Sequence, residues 1–164
     1  MKILAEGLEF PEGPVVAPDG ALLVVEIRRG TLTRIDPRSG RASVVARPGG
    51  GPNGAAIGPD GACYVCNNGG FEWRRHGEVL APTFQPADYG GGRIERIDLD
   101  TGRVDVLYDR VGDHRLRGPN DIVFDRDGGF WFTDLGKVRE GDIDRGGLYH
   151  ARPGGQAVTV AFPA

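Results

Sequence analysis

Helical periodicity is missing from this sequence. No segment repeats its apolar residues every three to four positions, and no apolar run nears the roughly 20 residues that a membrane-spanning helix requires. The opening residues Met1 to Glu6 hold no apolar stretch of signal-peptide length, so a cytoplasmic location and no membrane partner are expected. Positive charge is not in excess either. Against 23 Asp and Glu stand 20 Lys and Arg, giving a formal net charge of -3 with the signs interspersed. That balance offers no basic footprint for nucleic acid. Lysine is scarce, since only Lys2 and Lys137 occur. Cysteine is limited to Cys63 and Cys66. On a strand, positions three apart point to opposite faces, so the pair is expected to be buried and reduced rather than to share a disulfide or a metal. His76, His114 and His150 share no metal-ligand spacing and are expected at the surface. No Ser-His-Asp order, phosphate-binding loop or dinucleotide fingerprint occurs.

Glycine and proline, by contrast, are plentiful. The 28 glycines and 12 prolines fall between short apolar runs as punctuation, in a chain of 164 residues long enough for one domain with a core. These runs recur. Phe10-Pro11-Glu12-Gly13-Pro14-Val15-Val16, Gly51-Pro52-Asn53-Gly54-Ala55-Ala56-Ile57 and Gly118-Pro119-Asn120-Asp121-Ile122-Val123-Phe124 each place a Pro, then an oxygen-bearing side chain, then an apolar run. Seven residues after Glu12, Asn53 and Asn120 stand Asp19, Asp60 and Asp127, each followed by Gly and a strand-like run. Further on, Gly92-Arg-Ile-Glu-Arg-Ile-Asp98 mirrors Gly30-Thr-Leu-Thr-Arg-Ile-Asp36. Asp-Gly and Ser-Gly are turn dipeptides, because Gly takes positive φ without steric cost. Each repeat divides into four strand candidates, so the expected fold is all-β, built from β-propeller blades of four antiparallel strands. About three blades are present: residues 8–50, 51–116 and 117–164. Residues 2–6 read as an additional outer strand that would close a ring.

Both long insertions, Asn67 to Gly91 and Leu135 to Gly146, fall between second and third strands. In an up-and-down blade that connection shares a face with the one leading into the next innermost strand. Glu12, Asn53 and Asn120 sit on the latter, so long loops and oxygen-bearing side chains are expected to be neighbours. Carboxylate and carboxamide oxygens converging on one axis suit a hard cation such as calcium. Glu12 and Asn120 are the candidate metal ligands. Asn53 shapes a turn, holds the metal or contacts substrate, and Asn68 and Asp134 are further candidate substrate contacts. Asp121, next to Asn120, is expected to point away from the axis, and Asp19, Asp60 and Asp127 to be structural. Phe71, Trp73, Phe84 and Tyr89 either stack on a ligand or pin their loop to the body.

Phe10-Pro11-Glu12-Gly13-Pro14, Gly118-Pro119-Asn120-Asp121 and Phe132-Thr133-Asp134 resemble the SMP-30/gluconolactonase/luciferin-regenerating-enzyme family over nearly the whole chain. The resemblance implies a six-bladed propeller with one divalent cation, usually calcium, in its channel, and hydrolysis of sugar lactones and related esters. It implies that Glu12 is the first-blade metal ligand and that Asn120 sits at the metal or substrate position of the third blade. The family also carries an Asn in a fourth-blade Pro-Asn-Gly and an acid/base Asp in a fifth-blade Pro-Asp-Gly, and neither has a counterpart here. Pro52-Asn53-Gly54 has the right letters but belongs to the second blade. On this reading the chain is the N-terminal half of a calcium-dependent lactonase, inactive alone and completed by a missing C-terminal half or by self-association. The alternative is a homodimeric or non-catalytic ligand-binding propeller.

Overall fold

The computed structural model describes residues 3–155 and 157–161, and its regular structure is strand alone. Strands β1 (Pro11–Val16), β2 (Leu22–Glu26), β3 (Thr31–Ile35) and β4 (Ala42–Ala46) pair antiparallel in sequence order. Next come β5 (Pro52–Ile57) and β6 (Cys63–Asn67), followed by an insertion carrying the hairpin β7 (Trp73–His76) and β8 (Val79–Pro82). Strands β9 (Arg93–Ile97) and β10 (Val104–Tyr108) then complete a second sheet in the order β5-β6-β9-β10. A small hairpin of β11 (Arg110–Val111) and β12 (His114–Arg115) leads to the third sheet. That sheet is β13 (Pro119–Phe124), β14 (Phe130–Asp134), β15 (Gly147–Ala151) and β16 (Val158–Ala161), again in sequence order. Ile3 to Glu6 belong to no strand, and Lys2 of the expected 2–6 strand lies outside the described residues.

The turns follow the chemistry of their residues. Between third and fourth strands, Asp36 Oδ1 accepts the Arg38 N–H at 2.8 Å and Asp98 Oδ1 the Thr101 N–H at 2.8 Å. Gly40 and Gly102 close these turns onto the Asp36 and Asp98 carbonyls at 2.8 and 2.9 Å. The aspartate side chains thus replace part of the strand ladder at the sharpest bends.

Two cores hold the sheets face to face. One joins the first sheet to the second through Leu23, Val25, Leu32, Cys63, Val65 and Ile97; the other joins the second to the third through Tyr64, Cys66, Ile94, Ile122, Phe130 and Phe132. Alternate residues of β6 therefore enter opposite cores, and every residue of that strand is buried. Each fully buried Leu or Phe contributes about 1.5–3 kcal/mol. The cysteines obey the same alternation. Both are free, and burial pushes the Cys63 thiol up to about 12 and that of Cys66 well above its ordinary value.

On the side of the first-to-second-strand turns, each sheet repeats a contact between a nitrogen side chain and a carboxylate. Arg34 meets Asp19, Arg96 Nε meets Asp60 at 2.7 Å, and His150 Nε2 meets Asp125 Oδ2 at 2.8 Å while packing on Trp131. His150 is thus not merely a surface residue but occupies the position that arginine fills in the other sheets. The His150 contact, aided by the Gly129 and Asp127 N–H groups, holds the Asp125 carboxyl below its ordinary value. A depressed carboxyl contributes stability that is complete above the unfolded value near ~3.9 and is lost as pH falls through the lower folded value. Asp125→Asn is therefore expected to flatten the acid limb of stability below about pH 4, read as urea midpoints across that acid range. An acid limb identical to the wild type would refute that assignment.

Candidate functional site

The innermost strands β1, β5 and β13 carry the site, and all three are broken at the same place. Their pairing registers slip between Glu12 and Val15, Pro52 and Ala55, and Pro119 and Ile122. A bulge bends its strand and re-aims the side chains within it. The bent segments then approach one another without side chains between them. A Cβ on Gly13 would lie 2.7 Å from the Asn53 carbonyl oxygen, and one on Gly54 would lie 2.5 Å from the Asn120 carbonyl oxygen. Glycine at these two positions lets the three backbones meet.

As a result Glu12, Asn53 and Asn120 line one cleft of about 290 Å³ together with Asp121. Asn53 is 8% exposed, Asn120 half-buried and Glu12 exposed. Simple strand alternation turns Asp121 away from this group. The register slip after Pro119 interrupts that alternation, so Asn120 and Asp121 both reach the cleft. No basic side chain lines it. Two carboxylates and two carboxamides make a hard, oxygen-only donor set, which fits one side of a site for calcium or a similar ion. It is not a complete cage: among the described residues no group of three or more His, Cys, Asp or Glu is placed to hold a metal.

Asn68 and Asp134 stand apart from the cleft. Asp134 ends β14 opposite Pro119, buried, with Oδ1 accepting the Gly118 and Gly136 N–H groups and Oδ2 that of Arg117, each at 2.7 Å. It clamps the lead-in to β13. The other sheets repeat the device. Glu26 pairs with Pro11 and accepts the Glu9 N–H at 2.7 Å; Asn67 pairs with Pro52 and accepts the Gly51 N–H at 3.0 Å. Buried Glu26 also takes Thr31 and Thr33 hydroxyls. Buried Glu95 takes Asn67 Nδ2 at 2.9 Å and Arg93 Nε at 2.5 Å, and desolvation raises its carboxyl despite these partners. Aligning the repeats would have found the clamps, because Glu26, Asn67 and Asp134 each close a second strand with a polar residue.

The insertion after β6 is pinned by its aromatic residues. Trp73 packs edge-on against Phe10 at 5.0 Å, and Phe84 lies under the Arg74 guanidinium. The Tyr89 hydroxyl donates to the Arg117 carbonyl at 2.5 Å. Phe71 and Tyr89 flank the Lys137 ammonium at 4.0 and 5.5 Å from their ring centres. Asn68 belongs to this seam: its Oδ1 accepts the Gly70 N–H at 2.8 Å and faces Lys137 Nζ at 3.4 Å.

The sequence pattern of the SMP-30/Gluconolactonase/LRE-like region matches residues 10–163. A gluconolactonase from Zymomonas mobilis is 24% identical over 95% of this chain and 44% of its own length. A solved gluconolactonase from Xanthomonas campestris superposes with a TM-score of 0.71 at 22% identity, covering 97% of this chain and 50% of that one. A Thermus thermophilus protein described as an oxidoreductase (glucose dehydrogenase) superposes at 0.61 with 20% identity, covering 94% of this chain and 47% of that one. The chain thus spans about half the length of these relatives and shares a propeller-like fold with them.

Proposed function

Because the chain belongs to the SMP-30/Gluconolactonase/LRE-like family, we propose that it supplies one side of the active site of a calcium-dependent sugar-lactone hydrolase. The observation that supports this reading is the meeting of Glu12, Asn53 and Asn120 in one cleft free of basic side chains. Glu12 and Asn120 would hold the ion through a carboxylate and a carboxamide oxygen. A calcium ion bound there supplies Lewis acidity toward a lactone carbonyl and a lowered pKa for water. Asp121 adds a second carboxylate that strengthens the hold on a cation. Asn53 offers a donor and an acceptor on one planar group, which suits the hydroxyls and ring oxygen of a sugar lactone.

Glu12, Asn53, Asn120 and Asp121 line one wall, and calcium takes about six to eight oxygens. The other ligands, and the acid/base that moves protons during ring opening, would come from further sheets completing a six-bladed ring, in the same polypeptide or a second one. Apolar side chains open to water on the outward sheet faces, Val16 at 70%, Val123 at 61% and Trp131 at 36%, support further packing partners.

The test is a calcium titration of the assembled protein by calorimetry and thermal unfolding, alongside acid release from a sugar lactone. Calcium at about a hundredfold its Kd is expected to stabilise the wild type by about 2.7 kcal/mol. Glu12→Gln is expected to weaken binding about tenfold or more and to remove roughly half of that gain. A titration unchanged in the variant removes the metal assignment, and absence of lactone hydrolysis by the calcium-loaded assembly removes the activity.

A further inference from the structure

Lys137 is 1% exposed, and among the described residues it makes no ion pair. Its ammonium is held between the Phe71 and Tyr89 rings and donates to the Gly70 carbonyl, with Asn68 Oδ1 beyond. A buried cation without a carboxylate in contact is poorly compensated for its lost water. A second uncompensated group lies beside it. Asn68 Nδ2 is buried and has no acceptor. Turning the amide over would set its NH₂ against the Gly70 N–H and the ammonium, so the orphan donor is fixed in place. Both groups lie at the seam where the 67–91 insertion meets the 135–146 loop. That seam is otherwise joined by the Gln85 N–H to the Val138 carbonyl at 2.9 Å and by Arg139 to the Gln85 side chain at 3.2 Å.

The insertion reaches both candidate ligand strands. Trp73 rests on Phe10, two residues before Glu12 and held at a φ of 57° that an aromatic residue rarely adopts; Tyr89 bonds to Arg117, three residues before Asn120. We propose that Lys137 is a clasp fastening the insertion to the 135–146 loop, tight when its amine is neutral and loosened when it is charged, so that the seam closes as pH becomes alkaline. The proposal stands on the seam's geometry and is independent of the lactonase reading.

Burial lowers the Lys137 amine to about 8, with Asp134 pulling the other way. Asp144 is bound by Arg139 at 2.8 and 2.9 Å, and the Tyr89 phenol is raised by burial. An open seam returns the lysine to water and its ordinary value. Between about pH 8 and 10.5 the open form then binds the proton that the closed form has lost, so closure strengthens as pH rises.

Hydrogen exchange of the full chain, corrected for the intrinsic pH dependence of exchange, reads this directly. Protection of residues 69–91 is expected to rise about thirtyfold between about pH 7 and pH 9.5, while β2 and β6 show no such step. Lys137→Met is expected to abolish the rise and hold the high-pH level throughout. Lys137→Arg is expected to abolish it at the low-pH level, and Tyr89→Phe to retain it. A rise that survives in Lys137→Met or Lys137→Arg, is lost in Tyr89→Phe, is shared by β2 and β6, or is absent from the wild type overturns the clasp. Should Lys137→Met fail to fold, the wild-type, Lys137→Arg and Tyr89→Phe profiles still decide the question.

Discussion

Gly54→Ala is expected to destabilise the protein by about 1–3 kcal/mol or more, far more than one added methyl group costs at an open site. Its Cβ would lie 2.5 Å from the Asn120 carbonyl oxygen and 2.6 Å from the Asp121 Cα. Both are backbone atoms of the bulge in β13, so neither can rotate away as a side chain would. Either β5 or β13 must shift, and a shift there parts the two strands that bring Asn53 and Asn120 together. Calcium affinity is therefore expected to fall along with stability. Gly13→Ala should cost as much or more, since a Cβ there meets the Asn53 carbonyl oxygen at 2.7 Å and the glycine already sits at a φ of 51°. Gly90→Ala, whose Cβ meets nothing within 4 Å, is the matching control. Urea midpoints of the three variants decide the matter. A Gly54→Ala midpoint level with the Gly90→Ala control would mean that the innermost strands do not meet.

The second large effect is at Asp134. Asp134→Ala is expected to cost about 3–5 kcal/mol, because it leaves the N–H groups of Arg117, Gly118 and Gly136 without their acceptor. Asp134→Asn keeps one oxygen but aims an NH₂ group at an N–H, so an intermediate loss is expected. A residue whose task is to touch substrate behaves in the opposite way, losing activity while stability holds. Denaturation of both variants, with calcium binding measured beside it, separates these roles. If Asp134→Ala unfolds at the wild-type midpoint, the clamp is wrong and Asp134 returns to the substrate-contact group.

The contrast between Asn53 and Asn68 shows how far the letters reach. Both are Asn at strand ends in the second repeat, and the pattern makes both candidates for substrate. Asn53 lies in the bulge of an innermost strand and reaches the cleft, whereas Asn68 is one residue beyond β6 and is taken by Gly70 and Lys137. Asp121 shows the same limit from the other side. Period-2 alternation turns it away from the cleft, and a single slipped register brings it in. The burial of Glu95 is not legible in the sequence, because charge alone reads as surface until the partners are known.

The sequence by itself determined the three four-stranded repeats, their turns and the burial of Cys63 and Cys66 in opposite cores, but not the hairpins β7–β8 and β11–β12, and Ile3 to Glu6 form no strand. What it determined depends on local rules: alternation along a strand, the φ freedom of glycine and the hydrogen bonding of aspartate in a turn. Only the tertiary structure decided which polar side chains face the common cleft, which ones clamp backbone, and that Lys137 is buried between two aromatic rings. Those outcomes depend on where a register slips and on which residues, tens of positions apart, present a donor or a ring. No local rule carries that information, because it is created when the sheets pack.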